Sequence, residues 1–209
     1  MKQIPTILVL GFALSLCNLG SKLKSGGNSG GSGSEKSSSS SGGKAEKATP
    51  TDAQTQALAG GQEAKWARQG MSWTVPPKWK EDSNEAKEFI YSSPGGDEAA
   101  HLIVSISPMD DSFPTDSSIQ AFYDQAETRM KHFEVDEVKW VEIAGLRGVQ
   151  FRESNPEKPD DFRRLQWLAY RKYAGQVQMI NIMLSSNGRG FLKHQDEMYG
   201  VLYSTKLQY

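Results

Sequence analysis

All five tryptophans of this chain lie beyond residue 64, together with nearly all the other aromatic residues and most of the branched aliphatics. A core forms only where there is apolar surface to bury, so folding is expected of residues 64–209. That is about 145 residues, a usual size for one domain. Residues 18–63, by contrast, run through SGGNSGGSGSEKSSSSSGG and continue polar. Such a composition buries too little apolar surface to offset the entropy of ordering, and the segment is predicted to be a disordered tether.

Ahead of the tether, Lys2 gives a positive start and residues 4–16 are nearly all apolar. A run of roughly 13 residues suits the core of an export signal and is short of the ~20 that span a bilayer as a helix. Leu14-Ser15-Leu16-Cys17 resembles the lipobox of bacterial lipoproteins, in which the cysteine is diacylated and becomes the mature N-terminus. Leu16 departs from that motif, which prefers a small residue there. Plain secretion and an uncleaved anchor are the alternatives, but Cys17 is the chain's single cysteine and no Ala-x-Ala cleavage site follows close behind it. The expected organisation is a lipoprotein-type signal over 1–17, a tether over 18–63 and a domain over 64–209. The protein is expected on the extracytoplasmic side of a membrane, held by lipid on Cys17, with secretion as the alternative. Lys22 and Lys24 lie near enough to that anchor to meet anionic headgroups, though their simpler role is to keep a linker soluble.

A domain without cysteine has no disulfide, thiolate metal site or cysteine nucleophile. A formal net charge of −1, together with export, argues against a nucleic-acid partner.

Within the domain, Met71-Ser72-Trp73-Thr74-Val75 reads as a strand stopped by Pro76-Pro77. Residues 87–92 and 101–107 read as a hairpin, with Leu102, Val104 and Ile106 alternating onto one face. Asp116 or Ser117 is expected to cap a helix whose apolar stripe is Ile119, Phe122, Tyr123, Ala126, Met130 and Phe133. Four strands follow, over 137–143, 146–153, 162–173 and 176–185, joined in pairs by Ala144-Gly145 and Ala174-Gly175. The last of them is apolar on both faces and so is expected at the centre of the sheet. Asn187 is expected to cap a second helix, and residues 204–207 to add a short strand. The fold class is therefore α+β, an antiparallel sheet of about six strands flanked by two helices.

Ser72-Trp73-Thr74-Val75-Pro76, with Trp79 three residues beyond the proline, is similar to the opening of PsbP-like domains. The long helix, the Ile143-Ala144-Gly145 hairpin and a final helix running into Ser204-Thr205-Lys206 continue the similarity across residues 71–207. The motifs are turn and core residues without a catalytic signature. The resemblance implies an antiparallel sheet with helices, used mainly as a binding platform. It transfers no specific partner, and no PsbP metal ligand aligns here.

Candidate sites are sparse. His101, His132 and His194 lack ligand-like spacing. Asp110, Asp111 and Asp116 crowd one loop but lack the glycine and distal glutamate of a calcium loop. The segment from Ser186 to Gly190 opens a helix, a place that favours an anion but is equally an ordinary capped turn. Trp73, Trp79, Trp140 and Trp167, with Phe151 and Tyr170, either form core or line a groove for an apolar or sugar ligand. The candidate contact residues are Phe113, which no periodicity explains, and a positive stripe of Arg163, Arg164, Arg171 and Lys172. No catalytic residue, metal or cofactor is assigned. The leading expectation is a membrane-tethered, non-enzymatic binding module with a protein partner. A carrier of a small apolar or aromatic ligand and an uncharacterised envelope enzyme are the alternatives.

Overall fold

A computed structural model of the chain describes residues 43–208. The export signal, Cys17, Lys22, Lys24 and most of the expected tether lie outside them. In chain order the elements are β1 (Glu46–Lys47), α1 (Asp52–Ala57), β2 (Gln62–Trp66), β3 (Met71–Val75), β4 (Lys80–Asn84), β5 (Glu88–Ser92) and β6 (His101–Met109). They continue with α2 (Thr115–Lys131), β7 (Val135–Ile143), β8 (Leu146–Glu153), β9 (Phe162–Tyr173), β10 (Gln176–Asn187), α3 (Gly188–Tyr203) and β11 (Lys206–Leu207).

The α+β class holds, but the sheet is larger than expected. Eight strands run in the order β1-β7-β8-β9-β10-β6-β5-β4, and a separate three-stranded sheet runs β11-β3-β2. All pairs are antiparallel except β1 with β7. Among the described residues three helices are present rather than two. Ordering also begins before residue 64: β1, α1 and the start of β2 fall in the stretch expected to be tether. Local polar chemistry adds there to a few apolar contacts, Ala48 and Leu58 packing against the main core. Thr51 and Gln54 form a capping box at the start of α1, the Thr51 hydroxyl accepting from the Gln54 N–H and the Gln54 side chain accepting from the Thr51 N–H.

The eight-stranded sheet is covered differently on its two faces. On one, α3 and the small sheet bury the main core, in which Trp66, Trp73, Phe89, Trp167, Ile180, Ile182, Leu184 and Phe191 are sealed from solvent. On the other, α2 presses Ile119 and Ala126 onto Trp140, Val149, Phe151 and Leu168. Tyr123 stacks on Trp140 with ring centroids 4.8 Å apart. β10 is central, as expected, between β9 and β6.

Both tight hairpins turn on Ala-Gly pairs with positive φ at each residue: 50° and 82° at Ala144-Gly145, 50° and 81° at Ala174-Gly175. This is the mirror-image turn that matches strand twist. Two details of α2 differ from expectation. It begins at Thr115 behind Pro114, with no side-chain cap from Asp116 or Ser117. It ends at Lys131, before the stripe is complete, leaving Met130 and Phe133 exposed.

Candidate interaction surface

Side chains alternate across a strand, so each strand of the large sheet gives one set to α3 and the other to the α2 side. α2 lies over β7, β8 and β9. Among the described residues no helix packs over the same face of β10, β6, β5 and β4, and its side chains are half-buried at most positions.

Strand register arranges this open half in rows. Gln166, Met183, Ile103 and Ile90 stand side by side across β9, β10, β6 and β5. One row away lie Leu168, Asn181, Ser105 and Glu88, and on the other side Arg164, Ser185, His101 and Ser92. An apolar row thus sits between two polar ones. Gln166 Nε2 donates to Asn181 Oδ1 at 3.1 Å, which ties the first row to the second.

The third row ends in a chain of hydrogen bonds over three strands. The register shift between Glu81 and Ser83 leaves Asp82 without a paired residue on β5, and such bulges re-aim a side chain. Ser92 Oγ donates to Asp82 Oδ2, and His101 Nδ1 lies 2.7 Å from the same hydroxyl. With Ser92 donating to Asp82, the hydroxyl accepts from Nδ1–H, and neutral His101 carries its lone pair on Nε2. Burial lowers the His101 pKa, against the pull of the Asp82 charge, so the neutral ring is favoured.

The residues expected to make contacts are placed elsewhere. Phe113 is half-buried against Tyr170, ring centroids 5.6 Å apart, and Ser118 Oγ on α2 shares a 2.8 Å hydrogen bond with the Tyr170 hydroxyl. The positive stripe does not form, because period-two alternation divides it between faces. Arg163 and Arg171 point to the α3 side and are buried. Arg163 Nη2 meets Asp136 at 2.6 Å, and the guanidinium lies over Phe191. Arg171 Nη2 donates to the Gln69 carbonyl at 2.6 Å. Arg164 alone of the three arginines reaches the open face, bridged to Glu153 at 3.1 Å. Lys172 is exposed opposite Asp111.

The histidines stand apart: His101 on β6, His132 just after α2, and His194 on α3, where its Nδ1 meets Glu197 Oε2 at 2.9 Å. Among the described residues no group of three or more His, Cys, Asp and Glu is placed to hold a metal ion. The N-terminus of α3 is occupied by its own cap, Asn187 Oδ1 accepting from the Gly190 N–H at 2.8 Å. Trp73, Trp79, Trp140, Trp167 and Phe151 are buried in the two cores and line no groove. Two depressions among the described residues hold about 110 and 130 Å³, below the several hundred Å³ of a typical ligand cavity. No described helix is long and apolar enough to cross a membrane.

The open face was readable in one respect and overlooked. Alternation in β6 marks Leu102, Val104 and Ile106 as core, but Ile103 falls on the opposite face, where Met179 and Met183 of β10 join it. Apolar residues on both faces signal either burial on both sides or an apolar stripe awaiting a partner.

No family model and no curated protein sequence matches this chain. Solved structures do. The chain resembles LpqN, involved in cell envelope biogenesis of Mycobacterium tuberculosis, at a TM-score of 0.52 and 10% identity, over 71% of this chain and 86% of that one. It matches a Bacteroides thetaiotaomicron protein at 0.46 and 13%, over 71% of this chain, and spans about half (49%) of that protein's length. Cyanobacterial PsbP from Synechocystis matches at 0.45 and 14%, over 70% and 92% of the two chains. At these identities the likeness is one of fold alone, and it is carried by the match to LpqN.

Proposed function

We propose that this protein is a lipid-tethered, non-enzymatic binding module of the bacterial cell envelope, and that the open half of its sheet is the surface that binds a protein partner. The observation that carries this reading is the row Met183–Ile103–Ile90, set between polar rows on a face that α2 covers only over β7–β9. A helix beside α2, or a comparable segment of a partner, fills that position and buries the row. LpqN's part in cell envelope biogenesis supports the setting, and the lipobox-like Leu14-Ser15-Leu16-Cys17 supports the anchor.

Two measurements test the reading. Mass spectrometry of the mature N-terminal peptide is expected to find Cys17 carrying lipid; a mature chain that retains Met1 removes the anchor. A photocrosslinking amino acid at position 103 is expected to trap a defined protein in intact cells that the same probe at exposed Lys78 does not. Identical products from both positions remove the recognition surface.

A further inference from the structure

Four large apolar side chains are exposed among the described residues, and all four stand at the same end of the molecule: Met130 (39% exposed), Phe133 (86%), Phe162 (58%) and Leu192 (62%). Single exposed apolar residues scattered over a surface are ordinary. Their collection at one end is not scatter. Met130 and Phe133 close α2, Phe162 opens β9, and Leu192 lies in the second turn of α3. The ladder joins these places. Ser154 N–H donates to the Glu134 carbonyl at 3.0 Å, Arg164 bridges to Glu153, Phe162 pairs with Asn187, and Gly188 N–H donates to the Asp161 carbonyl at 3.0 Å.

Phe133 is an unfavourable choice for the fold on two separate counts. α2 ends in a Schellman motif: Phe133 N–H donates to the Met130 carbonyl at 3.1 Å, and Glu134 N–H to the Arg129 carbonyl at 3.0 Å. The residue between helix and strand in that motif takes the left-handed conformation that glycine adopts without strain, and here it is Phe133 at φ 60°. A bulky side chain is strained there and gains no burial in return. Glycine would satisfy the backbone and expose nothing.

We infer that this end of the domain dips into the surface of a lipid bilayer, with Phe133 and Phe162 as its inserting side chains. The side chains stand exposed on separate elements, the end of α2, the start of β9 and the second turn of α3, and the two depressions described above are lined by other residues. Protruding tips suit a fluid interface, whereas a protein partner needs matching pockets. The charges around them balance, Lys131, Lys158, Arg189 and Lys193 against Glu134, Glu157, Asp160 and Asp161, so the attraction is apolar and zwitterionic lipid suffices. The choice of a bilayer as occupant rests on the anchor proposed at Cys17. About 25 residues separate it from Gly43, a length that spans at most about 90 Å in any conformation. At that distance the bilayer is always near, and a weak contact is enough.

The test uses the chain from residue 17 onward with Cys17→Ser, which carries the whole described fold and no lipid, so its outcome is separate from the fate of the anchor. In flotation with phosphatidylcholine vesicles at millimolar lipid, this protein is expected to rise with the vesicles, with little dependence on salt. Phe133→Gly combined with Phe162→Ser is expected to weaken partitioning on the order of tenfold or more. Phe133→Gly alone is expected to raise the melting temperature by about 2–4 °C while it weakens binding, a pairing that loss of structure cannot produce. A parent protein that stays with the soluble fraction, or variants that float as well as it does, overturns the inference. So does a dimer in sedimentation that Phe133→Gly dissociates, which assigns the tips to a second copy of the chain.

Discussion

The two halves of the sheet face beneath and beside α2 are built from the same strand chemistry and reach different ends. Under α2, Trp140, Val149, Phe151 and Leu168 are buried, and the helix supplies Ile119, Ala126 and a stacked Tyr123 against them. Beside it, Ile90, Ile103, Met179 and Met183 sit at comparable places on their strands but stay half-buried among serines, Asn181 and Gln166. One half is finished by the chain itself. The other carries, among the described residues, polar contacts such as Gln166–Asn181 and Asp82–Ser92–His101. The difference teaches that burial on the α3 side is sufficient to hold β10, β6 and β5 in the sheet, which leaves their second face available for recognition.

The comparison is broken most forcefully from the covered half. Trp140→Ala removes a ring that is stacked on Tyr123 and has the Arg147 guanidinium 3.6 Å from its centroid. It is expected to cost about 3–5 kcal/mol of unfolding free energy in a denaturant titration. Gly148→Val, which probes the α3 side of the same strands, comes next, at about 3 kcal/mol. A Cβ at Gly148 meets the Trp167 indole at 2.5 Å, because that ring crosses β8 so that its N–H can donate to the Val141 carbonyl at 3.2 Å. In the open half, Ile103→Ala is expected to cost about 1 kcal/mol, since the side chain is already partly in water. A loss there as large as that of Trp140→Ala would mean the open face is held as core, and its role in recognition would fall.

Much of the covered half was legible in the sequence, and most of the remainder was not, for identifiable reasons. The first four members of the α2 stripe (Ile119, Phe122, Tyr123 and Ala126), the two Ala-Gly hairpins and the Asn187 cap each rest on local chemistry and are present, whereas Met130 and Phe133 of the stripe are exposed. β4 reads Lys-Glu-Asp-Ser-Asn and has no apolar alternation to find, because as an edge strand it is protected by charge and by a bulge. β1 is two residues long and is held by a strand some 95 positions later, a contact no local pattern reports. The capping box of Thr51 and Gln54 was visible, but the surrounding composition outweighed it. The arginine stripe failed on strand parity: Arg163 and Arg171 share a face with Leu165 and Trp167, and residues two apart on a strand share one environment. Phe113 illustrates the converse, a residue without periodicity that nonetheless packs against Tyr170.

The smallest effect sharpens the boundary of the open half, where His101 sits at the end of its row. Burial lowers its pKa below the ordinary 6.5, so the folded protein binds this proton less readily than the unfolded chain does. The neutral ring's contribution to stability is therefore complete above pH 6.5 and is lost as pH falls through the lower folded value. Denaturation midpoints measured from pH 7.5 downward are expected to decline across that window, and His101→Gln is expected to flatten this part of the decline while keeping a side chain able to donate to Ser92. If the slope is the same in the variant, His101 is as well solvated in the folded state as in the unfolded, and the polar row is open water rather than the rim of a surface. If the slope disappears, the Asp82–Ser92–His101 chain is desolvated enough to feel what covers it, and a partner seated on Met183, Ile103 and Ile90 will push the histidine's proton affinity down further.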